Sequence, residues 1–217
     1  MQGIRTIANE HGAHAVTDFI YLASQSPRRA QLLEQMGVRF ELLLPDASED
    51  AESLEAVLPG EAPAKYVARV TALKLDAALA RMQRRGLRTA PVLCSDTTVA
   101  LGRCIYGKPA NDQDAQRMLG ELSGHTHRVL TAVALQNGKA RAQVVSVSRV
   151  TFSTMTRAQI HAYVATGEPL GKAGAYAVQG RAAACIAHIS GSYSGIMGLP
   201  MFETAQLLRT LGIKLGI

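Results

Sequence analysis

The chain has 217 residues, of which 47% are hydrophobic and 18% are charged, and its formal net charge is +6. These values predict one globular domain, or one domain with two lobes, and exclude disorder, collagen and coiled coil for most of the chain. No apolar run reaches the roughly 18 residues of a membrane-spanning helix. The basic excess favours an anionic partner (nucleic acid, anionic lipid or a phosphorylated small molecule) over a charge that serves solubility alone.

The N-terminal segment and the cysteines bear on organisation and compartment. Residues 1–18 lack the apolar core of a secretory signal, so we expect a loose extension there, followed by a single two-lobed domain over residues 19–217. The three cysteines form no C-x-x-C pair, and their number is odd. Both features indicate a reducing compartment.

Predicted strands and helices alternate along the chain. Short β-prone apolar runs predict strands over residues 19–23, 38–44, 91–100, 101–106, 128–136 and 140–152. Apolar residues at helical spacing, bounded by capping residues, predict helices over 27–36, 63–85, 112–122, 156–167 and 200–211. Asn137-Gly138 predicts an antiparallel hairpin. We therefore expect an α/β fold with a mixed sheet flanked by helices.

An anion site is predicted where the first strand passes into a helix, at residues 24–29. The first N–H groups of a helix have no partner within it and attract anions. Ser24 and Ser26 add hydroxyl donors, and Pro27 suits the first helical position. Arg28 and Arg29 oppose the helix dipole, at a cost of about 0.3–1 kcal/mol each, unless an anion binds there. The alternative is a plain Ser26 cap followed by two surface arginines.

Two acidic positions are candidates for chemistry. Asp96 interrupts an apolar strand, and a carboxylate there must be paired, bound to metal or at the end of the strand. Because ligands bind at strand ends in α/β sheets, Asp96 is the best candidate for a general base or metal ligand, with a turn or cap as the alternative. Glu49 lies in an acidic loop over residues 45–60, whose oxygen ligands suit a hard divalent cation or simply face solvent.

Two lysines occupy positions that suit a phosphate. Lys74 falls on the apolar side of its helix, between Val70 and Ala77, so its amine either reaches out to solvent or points into a site. Lys108 follows Gly107 on a loop, a short pattern that also occurs by chance. His125 and His127 alternate near the start of a strand, and structural roles are favoured over a metal site.

Six segments in order resemble the Maf family of nucleoside triphosphate pyrophosphatases. They are LASQSPRRAQLLEQMGV, CSDTTVA, GKP, LSGHTHRVLTAV, YAVQG and GSYSGIMGLPMFET. The resemblance runs from about residue 21 to residue 211. It implies the inosine-triphosphate-pyrophosphatase-like fold, with an elongated mixed sheet, two lobes and a central cleft. It also implies hydrolysis of a nucleoside triphosphate to monophosphate and pyrophosphate, a need for Mg²⁺ or Mn²⁺, a cytoplasmic location and a homodimer. Neither a stable nucleic-acid complex nor a membrane partner is expected.

The resemblance also implies roles for individual residues. Asp96 matches the proposed proton acceptor of the family and is a candidate metal ligand, and Glu49 aligns with an acid near the metal. The other matched residues are implied to hold the triphosphate: Ser24, Ser26, Arg28, Arg29, Lys74 and Lys108.

Three positions relate to base choice within the family. Arg28, Thr97 and Gln179 resemble the subgroup that acts on dTTP, UTP and modified uridine triphosphates. A Gln amide offers both a donor and an acceptor, which suits a uracil edge. The alternatives are a 7-methyl-GTP pyrophosphatase of the same family and a non-catalytic nucleotide- or nucleic-acid-binding regulator of cell division.

Overall fold

The computed structural model describes residues 5–7, 19–46, 49, 53–213 and 215. Eight strands are present in these ranges: β1 (Arg5–Ile7), β2 (Ile20–Leu22), β3 (Phe40–Leu42), β4 (Val92–Leu101), β5 (Cys104–Tyr106), β6 (Thr126–Asn137), β7 (Ala140–Phe152) and β8 (Ile186–Ser190). The same ranges contain six α-helices: α1 (Pro27–Gln35), α2 (Pro63–Arg84), α3 (Asp112–Leu122), α4 (Arg157–Val164), α5 (Tyr193–Met197) and α6 (Met201–Thr210).

The described strands form one mixed sheet. Its order is β1-β7-β6-β4-β2-β3, with β5 paired to β4 and β8 paired to β7. Strand β2 is parallel to both β3 and β4, and the other pairs are antiparallel. The predicted α/β class with a mixed sheet and a β6–β7 hairpin is therefore confirmed.

The predicted elements differ from the structure mainly at their ends. Strand β3 is shorter than the predicted run 38–44, while β8 and α5 were not predicted. In the predicted loose extension, Arg5–Ile7 pair antiparallel with β7 as β1. Residues 1–4 and 8–18 lie outside the described residues. The boundary between an extension and a domain starting at residue 19 stays a prediction.

Local side-chain chemistry starts the helices where the sequence indicates. The Asn111 side chain accepts a hydrogen bond from the backbone of Asp114 at the start of α3. Thr156 and Gln159 form the predicted reciprocal capping box of α4. Such caps satisfy N–H groups that the helix cannot, and each contributes about 1 kcal/mol.

Strand β4 crosses between two hydrophobic clusters. Leu93 belongs to a cluster with residues of α1 and α6, whereas Val99 belongs to a cluster with residues of α3 and α4. Between them, Ser95, Asp96 and Thr98 are buried polar residues. Since buried polar groups require partners, this middle part of β4 is where the fold must gather other polar side chains.

Candidate active site

A cleft of about 760 Å³ opens beside the polar part of β4. Its walls come from the turn from β2 into α1, the acidic segment at positions 45, 49 and 54–55, the inner face of α2, the loop after β5 and the segments 170–179 and 196–198. This volume falls in the usual range for small-molecule sites. All of the sequence-predicted site residues line it: Ser24, Ser26, Arg28, Arg29, Glu49, Lys74, Asp96, Thr97, Lys108 and Gln179.

Asp96 and Lys74 form an ion pair at the floor of the cleft. The Lys74 Nζ donates to Asp96 Oδ1 at 2.5 Å and to the Glu55 carboxylate at 2.7 Å. Burial alone would lower the pKa of Lys74, but the two carboxylates outweigh it and the pKa is raised. The amine is therefore a cation that points into the site, which decides between the two orientations predicted for it.

Glu55 is a site residue that the sequence does not mark. It lies in a single turn of 3₁₀-helix over Ser53–Glu55, and its carboxylate also accepts from Lys108 Nζ at 3.3 Å. The Tyr66 hydroxyl donates to the Glu55 carbonyl at 3.0 Å. Burial raises the pKa of Glu55, but Lys74 and Lys108 outweigh it, so the pKa is lowered and the group is ionised. A carboxylate thus occupies the position between two lysines that a phosphate would suit.

Glu49, the predicted metal residue, is held by arginines. Its carboxylate accepts from Arg81 Nε at 2.8 Å and Nη2 at 2.7 Å, and from Arg84 Nη2 at 2.9 Å. The hydrogen bond from Arg81 is the main reason why the pKa of Glu49 is lowered. No contact tests its role toward a metal, which stays a prediction. Across the part of the chain that the structure describes, no cluster of three or more His, Cys, Asp or Glu side chains could hold a metal ion.

Arg29 joins the turn after β2 to the far wall of the cleft. Its guanidinium donates to Ser24 Oγ at 3.0 Å, to Thr97 Oγ1 at 3.3 Å and to the Gly198 carbonyl at 2.8 Å. Burial is the main reason why the pKa of Arg29 is lowered, and Asp96 opposes that effect. Gly198 has φ of +118°, a conformation that favours glycine, and a Cβ there would lie 3.3 Å from Arg29 Nε and press on the guanidinium.

Ser26 and Arg28 face the cleft from the first turn of α1. Ser26 precedes Pro27, and within the described residues its side chain makes no capping hydrogen bond, so it is not the plain cap considered from the sequence. The Ser26 N–H donates to Ser24 Oγ at 3.2 Å. Arg28 Nε donates to the Met197 carbonyl at 3.4 Å, at the limit of a hydrogen bond. The predicted cluster of two hydroxyls and two cations therefore does come together.

The other wall carries Gln179 and a lysine not predicted from the sequence. The Gln179 side chain is exposed in the cleft, and Lys172 lies nearby in the same segment. Burial lowers the pKa of Lys172, and the positive charge of Arg28 lowers it further. Two like charges that face one cleft without neutralising each other favour an anionic ligand.

The two histidines have structural partners. His127 is buried, and its Nε2 lies 2.8 Å from the Tyr176 hydroxyl. Burial lowers the pKa of His127 to about 4, so the ring is neutral. His125 Nδ1 lies 2.8 Å from the Ser123 carbonyl. These contacts agree with the structural roles favoured from the sequence.

Comparison with known proteins identifies the family. The Maf model, described as "Maf-like protein", matches residues 19–211. The chain belongs to the Maf family. The match confirms the family resemblance and, with the mixed sheet and the cleft, the Maf-type fold class predicted from the sequence.

Three similar proteins carry the same description. A protein of Albidiferax ferrireducens described as "dTTP/UTP pyrophosphatase" is 73% identical over 199 residues, which cover 92% of this chain and 100% of the relative. Relatives with the same description from Polaromonas and Cupriavidus metallidurans are 69% and 61% identical over 198 residues each. These two alignments cover 91% of this chain and 98% and 99% of the respective relatives.

The helices also bear on membrane association. In the described ranges, no helix combines the length and the apolar character needed to cross a bilayer.

Proposed function

We propose that this chain hydrolyses dTTP and UTP, and modified pyrimidine nucleoside triphosphates, to the monophosphate and pyrophosphate. The observation that carries the proposal is the pairing of Asp96 with Lys74 in a cleft lined by Ser24 and Arg29. A carboxylate suited to accept a proton then lies beside groups suited to bind phosphates. The shared description of the close relatives supports the same activity.

Different residues of the cleft bind the triphosphate and accept the proton. Ser24, Ser26, Arg28 and Arg29 bind the triphosphate at the start of α1, where donors and positive charge concentrate. Asp96 accepts a proton from a water molecule as the water oxygen bonds to the α-phosphorus. The bond from that phosphorus to the oxygen bridging to the β-phosphorus breaks, and pyrophosphate leaves.

The lysines act on the charge that develops in this step. Lys74 donates to Asp96 and holds the carboxylate in place beside the phosphates, and Lys108 neutralises negative charge on the leaving pyrophosphate. Glu55 now occupies both amines, at 2.7 Å from Lys74 and 3.3 Å from Lys108. A bound triphosphate would therefore take over contacts that Glu55 makes in the structure.

The donor set fits a divalent cation of the Mg²⁺ or Mn²⁺ type that binds together with the substrate. Mg²⁺ commonly uses one or two carboxylates and takes its remaining ligands from phosphates and water. Asp96 would hold the cation, and two acids are candidates for the second carboxylate: Glu49, which the sequence predicts, and Glu55, which shares Lys74 with Asp96. When bound, such an ion supplies Lewis-acid polarisation of the phosphoryl oxygens.

Base selectivity is proposed to depend on Arg28, Thr97 and Gln179. The Gln179 amide would pair with the donor and acceptor of a uracil or thymine edge. Thr97 Oγ1 accepts from Arg29 and lies 2.9 Å from Thr131 Oγ1, so Thr97 would act by holding Arg29 in place.

The test is pyrophosphate release with Mg²⁺ from dTTP, UTP, 7-methyl-GTP, dATP and ATP. We expect turnover selective for dTTP and UTP that falls by at least about 10³-fold in Asp96→Asn. Turnover of 7-methyl-GTP alone would keep the reaction and contradict the base assignment. Absence of turnover, together with salt-sensitive nucleic-acid binding that does not require Asp96, would favour the regulator instead.

The assembly and location of the enzyme are further parts of the proposal. We expect a cytoplasmic homodimer. The aromatic side chains of Phe202 and Tyr193 are 71% and 48% exposed on α6 and α5, and a subunit interface would cover such residues. Sedimentation equilibrium of the wild type and of Phe202→Glu tests this, and a dimer that dissociates in the variant is the expected result.

A further inference from the structure

Glu168 lies directly behind the turn that carries Gln179. Its Oε1 accepts from the Tyr163 hydroxyl at 2.8 Å, and its Oε2 accepts from the backbone N–H of Arg181 at 3.1 Å. A Cβ added at Gly180 would lie 2.2 Å from Glu168 Oε1. The carboxylate therefore packs so closely against the backbone of the turn that a side chain at position 180 would have to displace it.

Tyr163 ties down the other end of the same turn. Its hydroxyl donates to Glu168 and accepts from the backbone N–H of Ala177 at 3.3 Å. The Gly180 N–H donates to the Ala177 carbonyl at 3.1 Å, which closes the turn on itself. Burial raises the pKa of Tyr163, so its hydroxyl keeps the proton that it donates. The two residues thus hold the backbone on both sides of Gln179.

The backbone of Glu168 also fixes a second group in the wall. Its carbonyl accepts from Lys172 Nζ at 2.5 Å, and Lys172 is close enough to Arg28 for the two charges to repel. One residue therefore restrains both the cation and the amide that face the nucleotide from this side.

These two side chains stand outside the cleft. Among the described residues that line it, neither Tyr163 nor Glu168 is present, whereas Ala177, Val178 and Gln179 are. Any effect of the pair on a bound nucleotide therefore passes through the turn. Hydrogen bonds weaken steeply with angle, so an amide that reads a base edge depends on a fixed backbone.

We propose that Glu168 and Tyr163 are positioning residues that set the pyrimidine selectivity of the cleft by holding Gln179 against the base. This rests on the proposed function, in which Gln179 contacts the base. The pair determines how well dTTP and UTP are distinguished from purine nucleotides. It leaves the phosphate groups and Asp96 unaffected.

The experiment measures selectivity rather than activity alone. For Glu168→Gln and Tyr163→Phe, kcat/KM is compared between dTTP and dATP, together with the melting temperature. We expect the dTTP-to-dATP ratio to fall about tenfold through a higher KM for dTTP, while kcat stays within about twofold. A merely structural role would lower kcat/KM for dTTP and for dATP by the same factor, so the ratio would not change.

A matched control lies in a second tyrosine–carboxylate pair. Glu121 accepts from the Tyr106 hydroxyl at 2.7 Å and is also paired with Arg117, on α3. Glu121→Gln removes the same kind of contact without touching the Gln179 turn, so we expect an unchanged ratio. A ratio that falls equally in Glu121→Gln would overturn the proposal.

A double-mutant cycle separates this inference from the proposed function. If Gln179→Ala lowers the ratio and Glu168→Gln has no further effect in that background, the pair acts through Gln179. If Gln179→Ala lowers the ratio and Glu168→Gln alone does not, the positioning role is wrong while the base contact stands. If Gln179→Ala leaves the ratio of an active enzyme unchanged, the base contact itself is wrong and the positioning role falls with it.

Gly180→Ala supplies an independent measurement. Its new methyl group would push the Glu168 carboxylate away from Tyr163 and from the Arg181 N–H, so the turn would lose these contacts and the ratio should fall. In a Glu168→Ala background the carboxylate is gone, and adding Gly180→Ala should change the ratio little further. Purely additive effects on the ratio would contradict the proposed contact.

Discussion

Glu49 and Glu55 come from the same acidic segment, but two arginines hold Glu49 and two lysines hold Glu55. Glu49 accepts from Arg81 and Arg84, and Glu55 accepts from Lys74 and Lys108. Both carboxylates face the same cleft. The partners nevertheless assign them different tasks, because a guanidinium and an ammonium hold an anion differently.

The contacts of Arg81 with Glu49 stabilise the fold. Arg81 is only 4% exposed, contacts both oxygens of Glu49 and donates to the Leu43 carbonyl at 2.8 Å. It therefore fixes the acidic segment to α2 and to the chain after β3. The lysines offer single point charges, and a phosphate oxygen can take the place of a Glu55 oxygen there. The arginines of Glu49 therefore stabilise the fold, whereas the lysines of Glu55 exchange the carboxylate for a phosphate during the reaction.

Removing Lys74 should produce the largest effect. In Lys74→Met the Asp96 carboxylate loses its cation, and the substrate loses a charge that stabilises the transition state. We expect pyrophosphate release to fall about 10³-fold, because loss of one such group costs about 10²–10³ in kcat. The melting temperature should fall less than in Arg81→Met, because the side chains of Lys74 and Glu55 are 19% and 28% exposed, whereas those of Arg81 and Glu49 are 5% and 14% exposed. Activity within about tenfold of wild type would contradict the role of Lys74.

Arg81→Met should act on stability instead. It leaves Glu49 without its buried partner and the Leu43 carbonyl without its donor. We expect the free energy of unfolding to fall by about 3 kcal/mol, measured by urea denaturation, because breaking a buried ion pair costs about 3–5 kcal/mol. Arg84→Met is the matched control, because Arg84 is 55% exposed and its pair with Glu49 should contribute at most about 1 kcal/mol. Equal losses in the two variants would end the structural distinction drawn for Arg81.

The sequence predicted those parts of the site that depend on local pattern. The anion site of residues 24–29 depends on a strand followed at once by a helix, and the place of Lys74 on the apolar side of α2 depends on helical spacing, which left open whether its amine points into the site. Both were visible in neighbouring residues. The contact of Glu55 with Lys74 joins residues 19 positions apart through the packing of an irregular segment on α2, for which no periodicity exists. The Tyr163–Glu168 pair was hidden for the same reason, since its partners at Ala177 and Arg181 lie beyond a loop.

Metal dependence separates the two acids in a third way. To bind a metal, Glu55 would give up its ion pairs with two lysines, which the triphosphate can then bind. Glu49 would have to give up its ion pairs with two arginines. We therefore expect Glu55→Gln to raise the Mg²⁺ concentration for half-maximal pyrophosphate release at least about tenfold, because loss of even an outer partner of a metal ligand costs about 10–100-fold in affinity. Glu49→Gln should change it less than about twofold, and so should Glu61→Gln, whose carboxylate is paired with Arg69. The reverse order for Glu49 and Glu55 would establish Glu49 as the metal acid predicted from the sequence.

The smallest difference between Glu49 and Glu55 should appear in the stability of the protein at acidic pH. In the folded protein the pKa values of the Glu49 and Glu55 carboxyl groups are both lowered from the usual 4.5. The unfolded chain then binds more protons as the pH falls through that range. The stability that each group contributes is therefore present above about pH 4.5 and is lost as the pH falls through the lower pKa of the folded state.

For Glu49 the hydrogen bond from Arg81 dominates this lowering, whereas for Glu55 burial works against the lysines. Glu49→Gln removes a titrating group with a strong partner, so the fall in melting temperature from about pH 5 to about pH 3 should become shallower than in wild type. Glu55→Gln should flatten it less. Thermal melts at constant ionic strength measure both slopes. An unchanged slope in Glu49→Gln would mean that the arginine pair adds no acid-sensitive stability, which would leave Arg81 with the Leu43 carbonyl as its main structural contact.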